Sequence, residues 1–255
     1  MSAAEIGSGS GLESGSESGV ESGSEVAAET GAVTGSEAGV ESGSESGSVK
    51  AVLVDFGGVL TTSVIEAFGA YSQSVSGDPA LVLRLLRDDS EAAAALADHE
   101  CGRLSQAAFE ARIAERLAER GVPVPPSGMV AAVQAAMHPD EAMLGALARL
   151  RAHGVPVALV TNSLGDDCYR GFDLSELADV VVISSEVGVR KPSRRIYEIA
   201  CERLGVAPEE CVLIDDLLHN LSGAARIGIR GLHHVDSART VAELADLFGS
   251  SSGFS

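Results

Sequence analysis

Four short stretches of this 255-residue chain carry residue types that can handle charge: DFGG (Asp55 to Gly58), VTN ending in Thr161-Asn162, VRKP around Lys191, and LIDD ending in Asp215-Asp216. Each lies at the end of a short apolar run or just after one. A carboxylate such as Asp55 can attack an electrophilic centre, dividing one hard displacement into two easier ones. Clustered carboxylates suit a hard divalent cation that takes oxygen ligands. A hydroxyl, an amide and an ammonium can hold a charged group while it reacts. Taken singly, Asp before Gly-Gly is a turn residue and Thr-Asn-Ser a cap. Taken together they point to one site, because ligands of open parallel sheets bind outside the carboxyl ends of the strands.

The elements that must position them are legible as alternating runs. KAVLVDF (Lys50 to Phe56), PVALVTN (Pro156 to Asn162), DVVVIS (Asp179 to Ser184), CVLIDD (Cys211 to Asp216) and GLHHV (Gly231 to Val235) are nearly continuous in hydrophobicity. That pattern predicts strands buried on both faces, as in a parallel sheet flanked by helices. Helices are predicted over 139–153, 193–204, 221–227 and 240–248, three of them closed by Gly154, Gly205 and Gly228. About 75 residues after the first strand carry no strand signal. They read as helices opening at Asp78-Pro79, Ser90-Glu91 and Ser105. So long a structureless loop is improbable, and a helical subdomain inserted into the sheet domain is expected.

Before Lys50 the chain cycles through Gly, Ser and Glu, with nine Glu and no Lys or Arg. Such a segment cannot offset a backbone entropy cost of about 1–2 kcal/mol per residue, so a disordered tail is expected over 1–48. It carries nine of the nineteen net negative charges. The remainder is still acidic, which argues against nucleic acid as a partner. An anionic substrate needs a local positive site, and the run Arg190, Lys191, Arg194, Arg195 is the candidate. There is no secretory signal and no 18-residue apolar span, so a cytoplasmic protein with no membrane association is expected. Cys101, Cys168, Cys201 and Cys211 show no metal-ligand spacing and read as structural thiols.

The four motifs in this order, with LIDDLLHNLSGAARIGIRGLHH following RKPSRRIYEIACERLGV, resemble the haloacid-dehalogenase-like (HAD) superfamily over about residues 50–248, in the branch with a helical cap inserted after the first motif. The resemblance implies an α/β fold. A Rossmann-like, HAD-like core would occupy 49–62 and 139–249, the helical cap 63–138, and a disordered end 250–255. It further implies that Asp55 is a nucleophile forming an aspartyl-phosphate, and that Mg²⁺ is held by Asp55, the Gly57 carbonyl and Asp215 or Asp216. Thr161 and Lys191 would hold the phosphoryl group, helped by Asn162 and the backbone N–H groups of Gly57 and Gly58. Asn220 would orient the loop after the acidic pair. The substrate would be a small phosphorylated, or otherwise anionic, molecule.

One position departs from the pattern. Phosphatases of the family carry a second Asp two residues after the nucleophile, and here that residue is Gly57. A glycine can donate no proton, and general acid-base catalysis is worth about 10²–10⁴-fold. Three readings follow: a phosphatase with a substitute acid or an easily expelled leaving group, a carbon-halogen hydrolase, and a phospho-ligand-binding domain without turnover. His99 and Glu100 of the cap are the candidate substitutes, with surface exposure as the plain alternative. His233 and His234 read as structural.

Overall fold

The computed structural model describes residues 48–252. Five strands, β1 (Ala51–Val54), β2 (Val157–Thr161), β3 (Val180–Ile183), β4 (Cys211–Asp215) and β5 (Arg230–His233), form one sheet in the order β3-β2-β1-β4-β5. Every pairing is parallel, with Val52 set opposite both Val157 and Val212. The apolar runs of β1, β2 and β4 become fully buried strands because helices cover both faces of the sheet there, whereas at the edges β3 is half-buried at its start and β5 buries only Leu232, so GLHHV is not the doubly buried strand its run suggests. Val52 and Val54 point to one face, under Met143, Leu147, Leu150 and Phe248. Ala51 and Leu53 point to the other, under Ile196, Tyr197 and Leu221. The chain runs outward from β1 in both directions, so the end of β1 is where the strand order reverses and a crevice opens.

In chain order the helices are α1 (Val64–Ser76), α2 (Leu81–Asp88), α3 (Ser90–Glu100), α4 (Gln106–Ala118), α5 (Met129–Ala135), α6 (Glu141–Ala152), the short α7 (Leu174–Leu177) and α8 (Ser184–Val187), α9 (Arg194–Leu204), α10 (Leu218–Ala225) and α11 (Ser237–Ser252). The first five lie between β1 and α6 and pack on a core of their own, including Phe68, Leu85, Phe109, Ile113 and Leu117. Ser105 caps α4 as its position suggests, its hydroxyl accepting from the Ala108 N–H. Asp89, one residue ahead of the expected start, caps α3 through the N–H groups of Glu91 and Ala92. Asp78-Pro79 makes the turn before α2 rather than its first residues, and the Asp78 carboxylate accepts from Ala80 N–H.

The chain leaves and re-enters the sheet domain side by side. Thr61 forms a bridge with Pro139, Thr62 N–H donates to His138 O at 2.9 Å, and His138 N–H donates to Thr62 Oγ1 at 3.0 Å. The Gly/Ser/Glu-rich segment before Ser48 and residues 253–255 lie outside the described residues. The last helix runs on to Ser252, past the end expected at 248–249. Once a helix is nucleated, each added residue gains a hydrogen bond for one more fixed residue. No described helix is long and apolar enough to cross a membrane.

Candidate active site

Asp55 is the first residue beyond β1. Its N–H donates to Ile214 O at 2.9 Å, continuing the ladder to β4 and fixing the backbone beneath the carboxylate. The side chain is buried, and its Oδ1 accepts the Phe56 N–H at 2.7 Å and lies 2.6 Å from Lys191 Nζ. Lys191 Nζ also donates to Asp215 Oδ2 at 2.8 Å. One buried ammonium therefore bridges carboxylates at the ends of two adjacent strands.

Lys191 sits in the connection from α8 to α9, ahead of a cis peptide to Pro192. Asn162, just after β2, clasps its peptide unit from both sides. The Lys191 N–H donates to Asn162 Oδ1 at 2.8 Å, and Asn162 Nδ2 donates to Lys191 O at 3.3 Å. Oδ1 and one Nδ2 N–H are thus engaged with the lysine's peptide, so Asn162 holds Lys191 in place and keeps its second Nδ2 N–H as a donor. Thr161 is buried, with Oγ1 accepting from Tyr169 OH at 3.4 Å. Thr161, Asn162 and Gly57 line a cavity of about 30 Å³ together with Phe56 and Val64.

The acidic pair divides its labour. Asp215 is wholly buried and saturated. Oδ1 accepts from Leu217 N–H and Asn220 Nδ2, both at 2.9 Å, and Oδ2 accepts from Lys191 and from Asn220 Nδ2 at 3.1 Å. Asp216 has a buried Oδ1 with no donor at all. A buried anionic oxygen without a partner is costly, and a cation relieves that cost. One oxygen each from Asp55, Asp215 and Asp216 can lie within 4.8 Å of one another. This hard, all-oxygen set fits a divalent cation of the magnesium type, with Asp216 the member that has capacity to spare.

The two glycines after Asp55 have separate steric reasons. A Cβ at Gly58, whose φ is +83°, would lie 2.4 Å from Asp216 Oδ2. A Cβ at Gly57 would lie 2.4 Å from Val64 Cγ2 at the start of α1. The place where the missing acid would begin is filled by a valine methyl.

Burial pushes Asp55 up to about 7 against the pull of Lys191, with Asp215 adding to the rise. Asp216 is raised to about 6, chiefly by burial and then by Asp215. For Lys191, burial is the largest influence and acts downward, but the two carboxylates outweigh it and hold the ammonium above its ordinary value. Lys191→Met should then strand two acids. Removing one partner of a buried pair costs about 3–5 kcal/mol, expected in urea unfolding at pH 8 without divalent cation. The loss should shrink at pH 5, where Asp55 keeps its proton, and an equal loss at both values would contradict the coupling.

The remaining candidates separate clearly. Of the basic run, only Lys191 enters the cluster. Arg195 pairs with Glu198 and Glu202, Arg194 is exposed, and Arg190 Nε lies 2.8 Å from Glu100 Oε2. His99 is buried with both nitrogens engaged, Nδ1 with Leu104 O at 3.0 Å and Nε2 accepting from Gly165 N–H at 2.9 Å, so it is no free acid. Glu100 is largely buried, not exposed on the surface. His234 Nδ1 meets Thr240 Oγ1 at 2.9 Å, and His233 Nε2 reaches Asp216 O at 3.0 Å. Tyr197, whose OH donates to Asn220 O at 2.9 Å, supports the acidic loop and carries no sequence signal beyond its place on an apolar face. The four cysteines are free.

A model of the haloacid dehalogenase-like hydrolases matches residues 49–228, and the chain belongs to that family of hydrolases. It is 32% identical to a sesquiterpene phosphatase of Aspergillus oryzae over 116 residues, 44% of this chain and 59% of that protein. It is 30% identical to (S)-2-haloacid dehalogenase 1 of a Pseudomonas species over 94 residues, 36% of this chain and 40% of the relative. The chain thus spans less than two thirds of either relative. Among solved structures, a HAD family enzyme from Bacteroides thetaiotaomicron in its magnesium complex shares the fold, with TM-score 0.54 and 24% identity over 74% of this chain and 94% of that one.

Proposed function

We propose that the chain is a magnesium-dependent phosphatase of a small phosphorylated metabolite, with Asp55 as nucleophile. The observation that carries this reading is the Lys191 ammonium shared by Asp55 and Asp215 beside an Asp216 oxygen with no donor. The lysine keeps the attacking carboxylate oriented and favours its ionised form. Asp55 would bond to phosphorus as the ester P–O bond breaks. Water would then cleave the aspartyl-phosphate, restoring Asp55 and releasing phosphate. Thr161, Lys191 and the backbone N–H groups of Gly57 and Gly58 would hold the phosphoryl oxygens. Asp55, the Gly57 carbonyl and Asp215 or Asp216 would hold Mg²⁺, which when bound neutralises the acids and the phosphoryl oxygens.

Since Gly57 offers no proton to the leaving group, substrates with acidic leaving groups (acyl, aryl or anomeric phosphates) are expected to react faster than simple alkyl phosphates. The helical insert, joined to the sheet domain at the Thr62–His138 stem, would serve as a cap over the strand ends that shields the reaction from water. Carbon-halogen hydrolysis is the second reading, favoured by Gly57 and by the dehalogenase relative, although that branch usually has Tyr where Gly57 stands. The unsatisfied Asp216 disfavours it, because a carboxylate attack on carbon has no use for a cation site. The test is a phosphate-ester panel with magnesium, set against 2-haloacids with EDTA. Magnesium-dependent phosphate release that rises with leaving-group acidity is the expected result. Haloacid turnover surviving EDTA, or tight phosphate-analogue binding without turnover, would overturn it.

A further inference from the structure

The tip of the insert is bound closely to the segment that delivers Lys191. Ser184 Oγ donates to Glu100 O, and Gly102, with φ +71°, passes so near Ser185 that a Cβ would lie 2.6 Å from its carbonyl oxygen. Arg190 Nε stands 2.8 Å from Glu100 Oε2 at an angle that makes no hydrogen bond, and the same Nε donates to Lys191 O at 3.2 Å. That carbonyl is the one Asn162 Nδ2 grips. From α3 of the insert, a carboxylate therefore holds a guanidinium, which holds the peptide of the lysine between Asp55 and Asp215.

We propose that Glu100 is a positioning residue for Lys191, acting through Arg190, so that seating the insert and placing the lysine are one event. The proposal rests on the reading of Lys191 as the cation of the phosphoryl site. Glu100 has no other visible task. Its side chain is largely buried, with Oε2 fully so, an expensive place for a charge whose only ion-pair partner among the described residues is Arg190. Burial pushes it up to about 7 even though Arg190 and Lys191 pull it down. A group that merely fastened the insert could be apolar. Position matters here because displacing a catalytic group by about 1 Å can cost about 10²-fold in rate.

The test compares the full chain with Glu100→Gln, Arg190→Gln, the double variant and Arg190→Lys. The first readout is amide hydrogen exchange, which does not depend on turnover. Losing an interaction with a charged group should speed exchange across 189–193, including the Lys191 N–H, by about 10- to 100-fold. The double variant should exchange no faster than either single one. Where phosphate release is present, kcat should fall by a similar factor at every leaving group with KM nearly unchanged, and Arg190→Lys should recover only part. Exchange that rises in α3 and α4 while 189–193 stays protected would mean a purely structural clasp and overturn the proposal. So would Glu100→Gln slowing alkyl but not aryl phosphates with 189–193 unchanged, which would make Glu100 a proton donor. If Glu100→Gln fails to fold, the Arg190 variants decide by the same readout. A parent protein without phosphatase activity would refute the proposed function and leave the exchange result standing on its own.

Discussion

Asp55→Asn should abolish phosphate release, by about 10⁴-fold or more, while leaving the fold intact. The amide is isosteric with the carboxylate but cannot form the bond to phosphorus, and no other described acid can stand in. Asp215 has every oxygen engaged by Lys191, Asn220 and Leu217, and Asp216 begins from the next strand over. The variant should not unfold, because Lys191 keeps Asp215 as its partner. It should also change the pH dependence of stability in a definite direction. Burial raises Asp55 from 3.8 to about 7. A carboxyl with a raised folded-state value contributes stability below its unfolded value and loses that contribution as pH climbs through the folded one. Without divalent cation, the parent protein should therefore lose thermal stability between about pH 4 and 7, and Asp55→Asn should lose less. Full turnover in the variant would assign the chemistry to another site. An unchanged pH profile would mean that Asp55 is not held as the geometry has it.

The order in which these residues become legible follows the physics. β1, β2 and β4 are plain in the sequence because a strand buried on both faces must be almost uniformly apolar, and Asp55, Thr161 and Asp215 are conspicuous as polar residues closing such runs; the edge strand β5, which buries only Leu232, does not obey that rule. Ser105 announces α4 because capping is local. By contrast, α1 and α5 carry too weak a pattern to be read. α1 contains Gly69 and four serines when its cap is counted, and α5 has only seven residues, too short for a period to register. Roles that depend on distant partners are hidden for the same reason. That Asn162 clasps the Lys191 peptide shows only once the fold brings the two together across 29 residues, and nothing in the sequence separates Asp215 from Asp216. Glu100 and Arg190 are 90 positions apart and meet only because the insert folds back on the sheet.

Gly57 shows the same dependence on distant sequence, and it supports a gain of function. Its backbone does not require glycine, and the obstacle to a side chain is Val64, seven residues on, whose Cγ2 would stand 2.4 Å from a Cβ at position 57 while its own Cβ would be an ordinary 3.9 Å away. Gly57→Asp alone should then fail. It overpacks the start of α1, at about 1–3 kcal/mol, and pushes the new carboxyl out of line. Gly57→Asp with Val64→Ala removes the offending methyl groups and leaves Met137 Cε as the next neighbour at 3.7 Å. In that double variant an acid stands beside the leaving oxygen. Alkyl phosphates, which need a proton to depart, should gain about 10²–10⁴-fold in kcat/KM, while aryl phosphates gain little. The dependence of rate on leaving-group acidity should flatten accordingly. A folded double variant that binds phosphate analogues normally yet leaves that dependence as steep as before would show that the missing acid at position 57 does not limit this site.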